Sequence, residues 1–236
     1  MQKFTILYVC CFLFIFQPVK AQEQSKEQLR NEFDKKYGMD ISLNEGMMYF
    51  PELNIVAGNP FWESDKVFPG TIVLNGSAYP NQFLKYDIFN QNFILVFHEH
   101  TGVLKQIILD PYRVDSVFIG NAVFIKNPFP EIDKRYIQMI FKGDVSCYVS
   151  WWKQKVVRSN TDKAGYSFLK QENNKYIVYH SKLFEFEGVH QFCKIFPKIY
   201  SKEIKHFLKI NEIQLRKADT FQLQKLMKFV KELIEE

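Results

Sequence analysis

From about Met47 to Tyr179, apolar and polar side chains alternate with a period of two, and turn-forming residues interrupt the alternation at short intervals. A pleated strand sends successive side chains to opposite faces. The pattern therefore commits the middle of the chain to consecutive antiparallel strands. Strands are predicted over 67–75, 83–89, 92–98, 103–109, 113–119, 122–126, 136–142, 145–152 and 175–179. Between them fall Asn75-Gly76, Asn90-Gln91, Thr101-Gly102, Asp110-Pro111, Gly120-Asn121, Asn127-Pro128 and Gly143-Asp144, pairs that suit tight turns. The segment 159–174 reads as a polar loop around one short element that holds Tyr166 and Phe168.

The ends read differently. Lys3, the apolar run Thr5 to Phe16 and the small-residue site Val19-Lys20-Ala21 make residues 1–21 a secretory signal peptide. About twelve apolar residues fall short of the roughly 20 needed to cross a ~30 Å hydrocarbon core as a helix. Residues 22–45 form an N-terminal helix and linker. Ser25 and Gln28 make a capping box, Leu29, Phe33 and Tyr37 form one stripe, and Gly38 is the stop. Residues 46–180 are the β-rich body. Residues 181–236 are read as a helical part packed on it, with Ile204, Phe207 and Leu208 on one helix. A final helix opens at Asp219 with Gln222 and carries Leu223, Leu226, Val230 and Leu233. Runs of strands followed by helices predict an α+β fold: an antiparallel β-rich body with a short N-terminal helix and C-terminal amphipathic helices.

Without residues 1–21 the chain keeps 29 basic against 26 acidic side chains, which leaves no electrostatic footprint for nucleic acid. With 24 Phe and 12 Tyr, the chain can bury a sizeable core without covalent staples. Cys147 alternates with Val145, Val149 and Trp151, and Cys193 lies in the apolar stretch Phe192 to Phe196. Both are expected as buried free thiols, although export would permit a bridge. Their spacing matches neither a zinc site nor a disulfide scaffold.

His98-Glu99-His100 is the triplet that most suggests chemistry, because two histidines two apart on a strand share a face and can share a zinc. A two-residue turn at Thr101-Gly102 would set His98 opposite Lys105, Val96 opposite Ile107 and Ile94 opposite Leu109, and a lysine there disfavours a divalent cation. An Asn90-Gln91 turn would likewise pair Ile88 with Phe93, Tyr86 with Leu95 and Leu84 with Phe97, one continuous core face. Lys85, Asp87, Ile94, Val96 and both histidines fall on the other. The triplet is read as a hairpin end, and no metal, catalytic or cofactor-binding residue is assigned.

Asp87, Asp110 and Asp115 are the candidates for a paired-carboxylate hydrolase, with turn and strand roles preferred. Cys193 with His190, three residues apart, makes a nucleophile pair only on a helix; His180 and His206 are the other bases within reach of the reading. Trp151-Trp152 can offer one ring to a sugar, while a core or edge role is preferred. Asn75-Gly76-Ser77 fits an N-glycosylation pattern but is first a hairpin turn, and Asp115-Ser116-Val117 looks like a short O-glycosylation signal of exported Bacteroidota proteins. The chain contains no Gly-x-Ser-x-Gly, phosphate loop, Gly-x-Gly-x-x-Gly or His-Glu-x-x-His.

The signal ending in Ala21-Gln22, Gly70-Thr71-Ile72-Val73-Leu74-Asn75-Gly76, Leu84-Lys85-Tyr86-Asp87-Ile88-Phe89-Asn90, Val114-Asp115-Ser116-Val117-Phe118 and the closing Phe196-Pro197-Lys198 with two Lys-rich helices resemble a broad set of uncharacterised exported β-rich proteins of the Bacteroidota. The resemblance implies a periplasmic or outer-envelope location and brings no catalytic motif. The function expected is a non-enzymatic binding or assembly module of the envelope with a protein or glycan partner, no cofactor, and no stable transmembrane span after signal removal. The alternative is a metal-dependent or carboxylate hydrolase with His98 and His100 as ligands.

Overall fold

The computed structural model describes residues 43, 45–51, 56–99, 101–158 and 165–235. The predicted helix over 25–37 lies outside them. The chain divides into two compact units, 1–45 with 99–103 and 46–98 with 104–236. The first unit contributes Leu43, which is buried, and the turn in which Glu99 accepts the Gly102 N–H and donates to the Val103 carbonyl. The second unit carries both described sheets, three helices and the cleft.

Its main sheet has eleven antiparallel strands: β1 (Gly46–Met48), β3 (Phe68–Leu74), β4 (Ser77–Asp87), β5 (Asn92–His98), β6 (Leu104–Leu109), β7 (Val114–Ile119), β8 (Ala122–Lys126), β9 (Tyr136–Phe141), β10 (Val145–Trp152), β13 (Glu172–Tyr179) and β14 (Lys182–Phe186). Their order is β1-β6-β5-β4-β3-β7-β8-β9-β10-β13-β14. One meander, β3 to β6, runs outward; the chain then returns to the free side of β3 and a second meander runs the other way. Strand β2 (Val56–Ala57) pairs in parallel with β12 (Tyr166–Phe168), which pairs antiparallel with β11 (Lys155–Val157), making a small second sheet.

The large sheet curls on itself. In a flat sheet β5 and β9, five strand spacings apart, would be separated by about 24 Å. Yet the Phe93 and Tyr136 rings meet at 4.7 Å, and Tyr86 meets Phe124 at 5.0 Å. Tyr86 stacks on Phe93 at 4.4 Å, and Trp62 meets Phe124 edge-on at 5.2 Å. This aromatic stack fills the inside of the curl. Polar bonds close it: Gln91 Nε2 donates to the Trp151 carbonyl, and Arg135 donates to Gln91 O and Asn92 Oδ1.

Three helices cover one face of β9, β10 and β13: α1 (Val189–Ile195), α2 (Ser201–Ile210) and α3 (Thr220–Glu235). Helix α3 starts as its sequence predicts, with Gln222 N–H donating to Asp219 Oδ1 and the Asp219 N–H donating to Gln222 Oε1. Leu223, Leu226, Met227 and Val230 are buried against Val145, Cys147, Val149 and Ile177, each such side chain contributing about 1.5–3 kcal/mol on burial. Phe207 of α2 stacks on Phe229 of α3 at 4.1 Å. Gln138 ties the sheet to α3 by donating to Thr220 Oγ1 while accepting from Trp151 Nε1.

Two registers differ from those predicted. Ile94 faces Ile108, Val96 faces Gln106, and Phe97, in place of His98, faces Lys105. The Glu99–Gly102 turn bond leaves three residues in the loop and shifts β6 by one. At the preceding hairpin Tyr86 faces Phe93 and Leu84 faces Leu95, because Asp87 Oδ1 accepts the N–H groups of Phe89 and Asn90 and fixes a four-residue connection. That shift is even, so the core face survives it. Lys182–Phe186, read from sequence as part of the helical segment, is β14 instead.

Candidate functional site

A cleft of about 640 Å³ lies over the face of β4–β6 that points away from the aromatic stack, within the size range of small-ligand sites. Its floor follows from the register. Asp87 pairs with Asn92, Lys85 with Ile94 and Ile108, and Val96 with Gln106, so these side chains share one face. Phe61, Ile94 and Val96 are buried there with Tyr49 and Ile108 beside them.

Three separate segments supply the walls. Residues 49–51 follow β1 and are held by the Tyr49 N–H, which donates to the Gln106 carbonyl at 2.9 Å. Residues 58–61 bridge to the end of β4 through Ile88 N–H to Pro60 O and Trp62 N–H to Tyr86 O. Phe168 of β12 closes a third side and meets Phe89 at 5.3 Å. Tyr49 and Phe61 rings lie 6.0 Å apart, and Phe50 is 79 % exposed at the rim.

The charged groups here hold the structure. Asp87, 1 % exposed, accepts from Phe89 N–H, Asn90 N–H and Asn90 Nδ2. Lys85 Nζ bonds Asp65 Oδ1 at 2.7 Å and lies 4.6 Å from the Phe61 ring centroid. Beneath the wall, Lys153 Nζ donates to Asn59 O, Asn59 Oδ1 and Phe61 O, which fixes the 59–61 segment in place. Burial lowers the Lys153 pKa below the usual lysine value, while Asp87 pulls it back up. Gln106 also lines the cleft, and its Oε1 is buried and accepts no hydrogen bond.

The residues singled out in the sequence are scattered. His98 is exposed at the end of β5 opposite Leu104, and His100 lies outside the described residues. Among the described residues no group of three or more His, Cys, Asp or Glu side chains is placed to hold a metal ion. Asp110 and Asp115 serve turns other than that of Asp87: Asp110 Oδ1 accepts the Tyr112 N–H, and Asp115 Oδ2 accepts the Gly76 N–H at 2.7 Å. Asn75 and Gly76 have φ of 48° and 77° in the two-residue turn that joins Leu74 to Ser77. Trp151 is a packing residue, 6.3 Å from Trp62, and Trp152 is half-buried. His190, His206 and His180 are exposed, and His180 lies against Tyr179. Among the described residues no helix is long and apolar enough to cross a membrane.

Cys147 and Cys193 are free and buried. Burial pushes the Cys147 thiol up to about 12, against a smaller opposing pull from Lys175. An unfolded thiol ionises near 9, so between pH 9 and about 12 the unfolded state releases a proton that the folded state keeps, and stability falls. Urea unfolding of Cys147→Val across that window is expected to show a shallower decline than the parent chain. Equal slopes would contradict it.

A second, polar hollow of about 620 Å³ lies by Glu172, Lys175, Glu185, Glu187 and Arg216. The buried Lys175 ammonium donates to Asn173 Oδ1 and the Arg216 carbonyl, tying β13 to the α2–α3 connection.

Fold and site together define a class: a curled antiparallel sheet with a helical cover on one half and a lateral aromatic-and-amide cleft on the other. Compared with known proteins, the chain matches no family model, no curated protein and no solved structure. The cleft was missed in the sequence because residues 49–51, 56–61, 106 and 168 converge only through the fold. The one local sign of it is Gln106, an amide inside the strand Leu-Lys-Gln-Ile-Ile-Leu.

Proposed function

We propose that this chain is an exported protein of the cell envelope and acts as a non-enzymatic binding module, with its ligand held in the cleft over β4–β6. The observation that carries the reading is the chemistry of the lining. Aromatic walls surround a floor of amides and aliphatic side chains; of the cleft's two carboxylates Asp87 fixes a turn and Asp65 pairs with the Lys85 ammonium. A general acid or base must be able to exchange a proton with a substrate; Asp87 instead spends its oxygens on its own turn. The export half of the proposal rests on the signal-like residues 1–21 and the resemblance to exported Bacteroidota proteins.

Expression of the tagged full chain in a Bacteroidota host tests both halves. The envelope fraction should contain a product that begins at Gln22, and saccharide, peptide or lipid probes should raise its unfolding temperature. Retention of the product in the cytoplasm would overturn the location. Hydrolysis of ester, phosphate or glycoside substrates that is lost in His98→Ala or Asp87→Asn would overturn the binding module in favour of the hydrolase.

A further inference from the structure

We infer that the ligand of the cleft is a neutral saccharide, seated with the C–H face of a sugar ring on the aromatic wall and donating a hydroxyl to Gln106 Oε1. This deepens the binding-module reading and rests on it.

The argument starts from Gln106. Gln106 lines the cleft, and its Oε1 is buried and has no donor. A buried acceptor left without a partner costs the free protein stability. At the same strand position a leucine or methionine would extend the apolar floor formed by Ile94, Val96 and Ile108 at no such cost. A turn of the Gln106 amide about its last side-chain bond would bring that oxygen to a donor in the cleft, so the ligand must carry one at the depth of the floor. Hydroxyl and amide N–H groups qualify.

Charge narrows the choice. Lys85 is held by Asp65, and Asp87 is held by three hydrogen bonds from its own turn. An ionised ligand would find its counter-charge already engaged, and binding it would mean breaking the pair. A neutral ligand leaves both intact.

Shape narrows it further. The floor is a sheet face, whose backbone groups are used in the β4–β5 and β5–β6 ladders. An extended peptide seeks an open strand edge for its own N–H and C=O groups, which a sheet face does not offer. An acyl chain would cover the Gln106 amide and leave its buried oxygen without a donor. A pyranose has one face of C–H groups and a rim of hydroxyls, and suits both parts of the site. The rings of Tyr49 and Phe168 in the walls, with Phe50 at the rim, give its apolar face a surface, and the floor amide takes a hydroxyl.

Titration of the full chain purified from the envelope fraction with cellotetraose, maltotetraose, mannotetraose and chitotetraose tests this, with tetragalacturonate and a random decapeptide pool as the contrasts. Saturable binding of at least one neutral tetrasaccharide is expected. Affinity should weaken about tenfold or more in Gln106→Leu, the scale of a lost buried hydrogen bond, while the unfolding temperature of the free variant stays level or rises. A purely structural role for Gln106 would move the two readouts together. Phe50→Ala should also weaken binding; with its side chain largely exposed, this variant keeps its fold and guards against loss by misfolding. Binding of tetragalacturonate alone, binding of the peptides alone, or neutral binding unchanged in Gln106→Leu would each overturn the saccharide assignment. Peptide binding that Phe50→Ala abolishes would still leave the cleft as a binding site, whereas probe hydrolysis would remove that reading as well.

Discussion

Replacing Phe124 by alanine should destabilise the protein by about 3–5 kcal/mol, the range for large-to-small changes of a buried aromatic. Phe124 is fully buried on β8, and its ring lies 5.0 Å from Tyr86, 5.2 Å from Trp62 and 5.7 Å from Phe93. These neighbours come from β4, β5 and the 58–62 segment, so the ring joins the two halves of the curl. Its removal leaves a cavity walled by rigid rings, which collapse poorly around a void. At about 2–4 °C per kcal/mol for a chain of this size, the unfolding midpoint should fall by roughly 10 °C. Phe118→Ala on the neighbouring β7, where the side chain is 40 % exposed, is the control and should cost much less. Equal losses from the two variants would mean that the curl does not depend on the stack.

Gly70→Ala is expected to be as damaging for a different reason. Strand β3 is shared by the two meanders, with Gly70 opposite Gln82 of β4 and Ile119 of β7. A methyl group at Gly70 would fall on the Phe118 carbonyl oxygen and 2.9 Å from Leu84 Cδ1. Backbone cannot step aside as a flexible side chain can, so β7 must move off β3. Overpacking of this kind costs about 3 kcal/mol or more. Gly143→Ala, whose added methyl would meet Phe141 at 3.5 Å, serves as the tolerant comparison. Urea unfolding followed by tryptophan fluorescence should show a lowered or broadened transition in Gly70→Ala alone. A parent-like midpoint would mean that the junction between the meanders yields easily.

All strands of the main sheet except β1 and β14 were legible because alternation is a direct imprint of burial on one or both faces, and the helix start at Asp219 because a capping box is a local device. Register was less so. The odd slip at Thr101-Gly102 arises from a single backbone bond, Gly102 N–H to Glu99 O, that no side-chain pattern announces. Strand β14 was hidden by its turn: His180 and Ser181 adopt φ of 49° and 59°, a conformation ordinarily signalled by Asn or Gly. Lys85, Asp87, Ile94 and Val96 were placed correctly on one face. That face read as a mixed, solvated surface because the segments that roof it lie 24 to 83 residues away along the chain. A cleft assembled from distant pieces leaves no periodic trace.

The short strand β1 has a protective consequence. It hydrogen-bonds to only part of β6, pairing Gly46, Met47 and Met48 with Leu109, Ile108 and Ile107, and the Tyr49 N–H extends the cover by one bond. Proteolytic clipping beyond this point would uncover Gln-Ile-Ile-Leu, the end of β6 that β1 covers, the kind of apolar template on which neighbouring molecules add strand after strand. Removal of residues up to Tyr49 is thus expected to favour fibrous self-association.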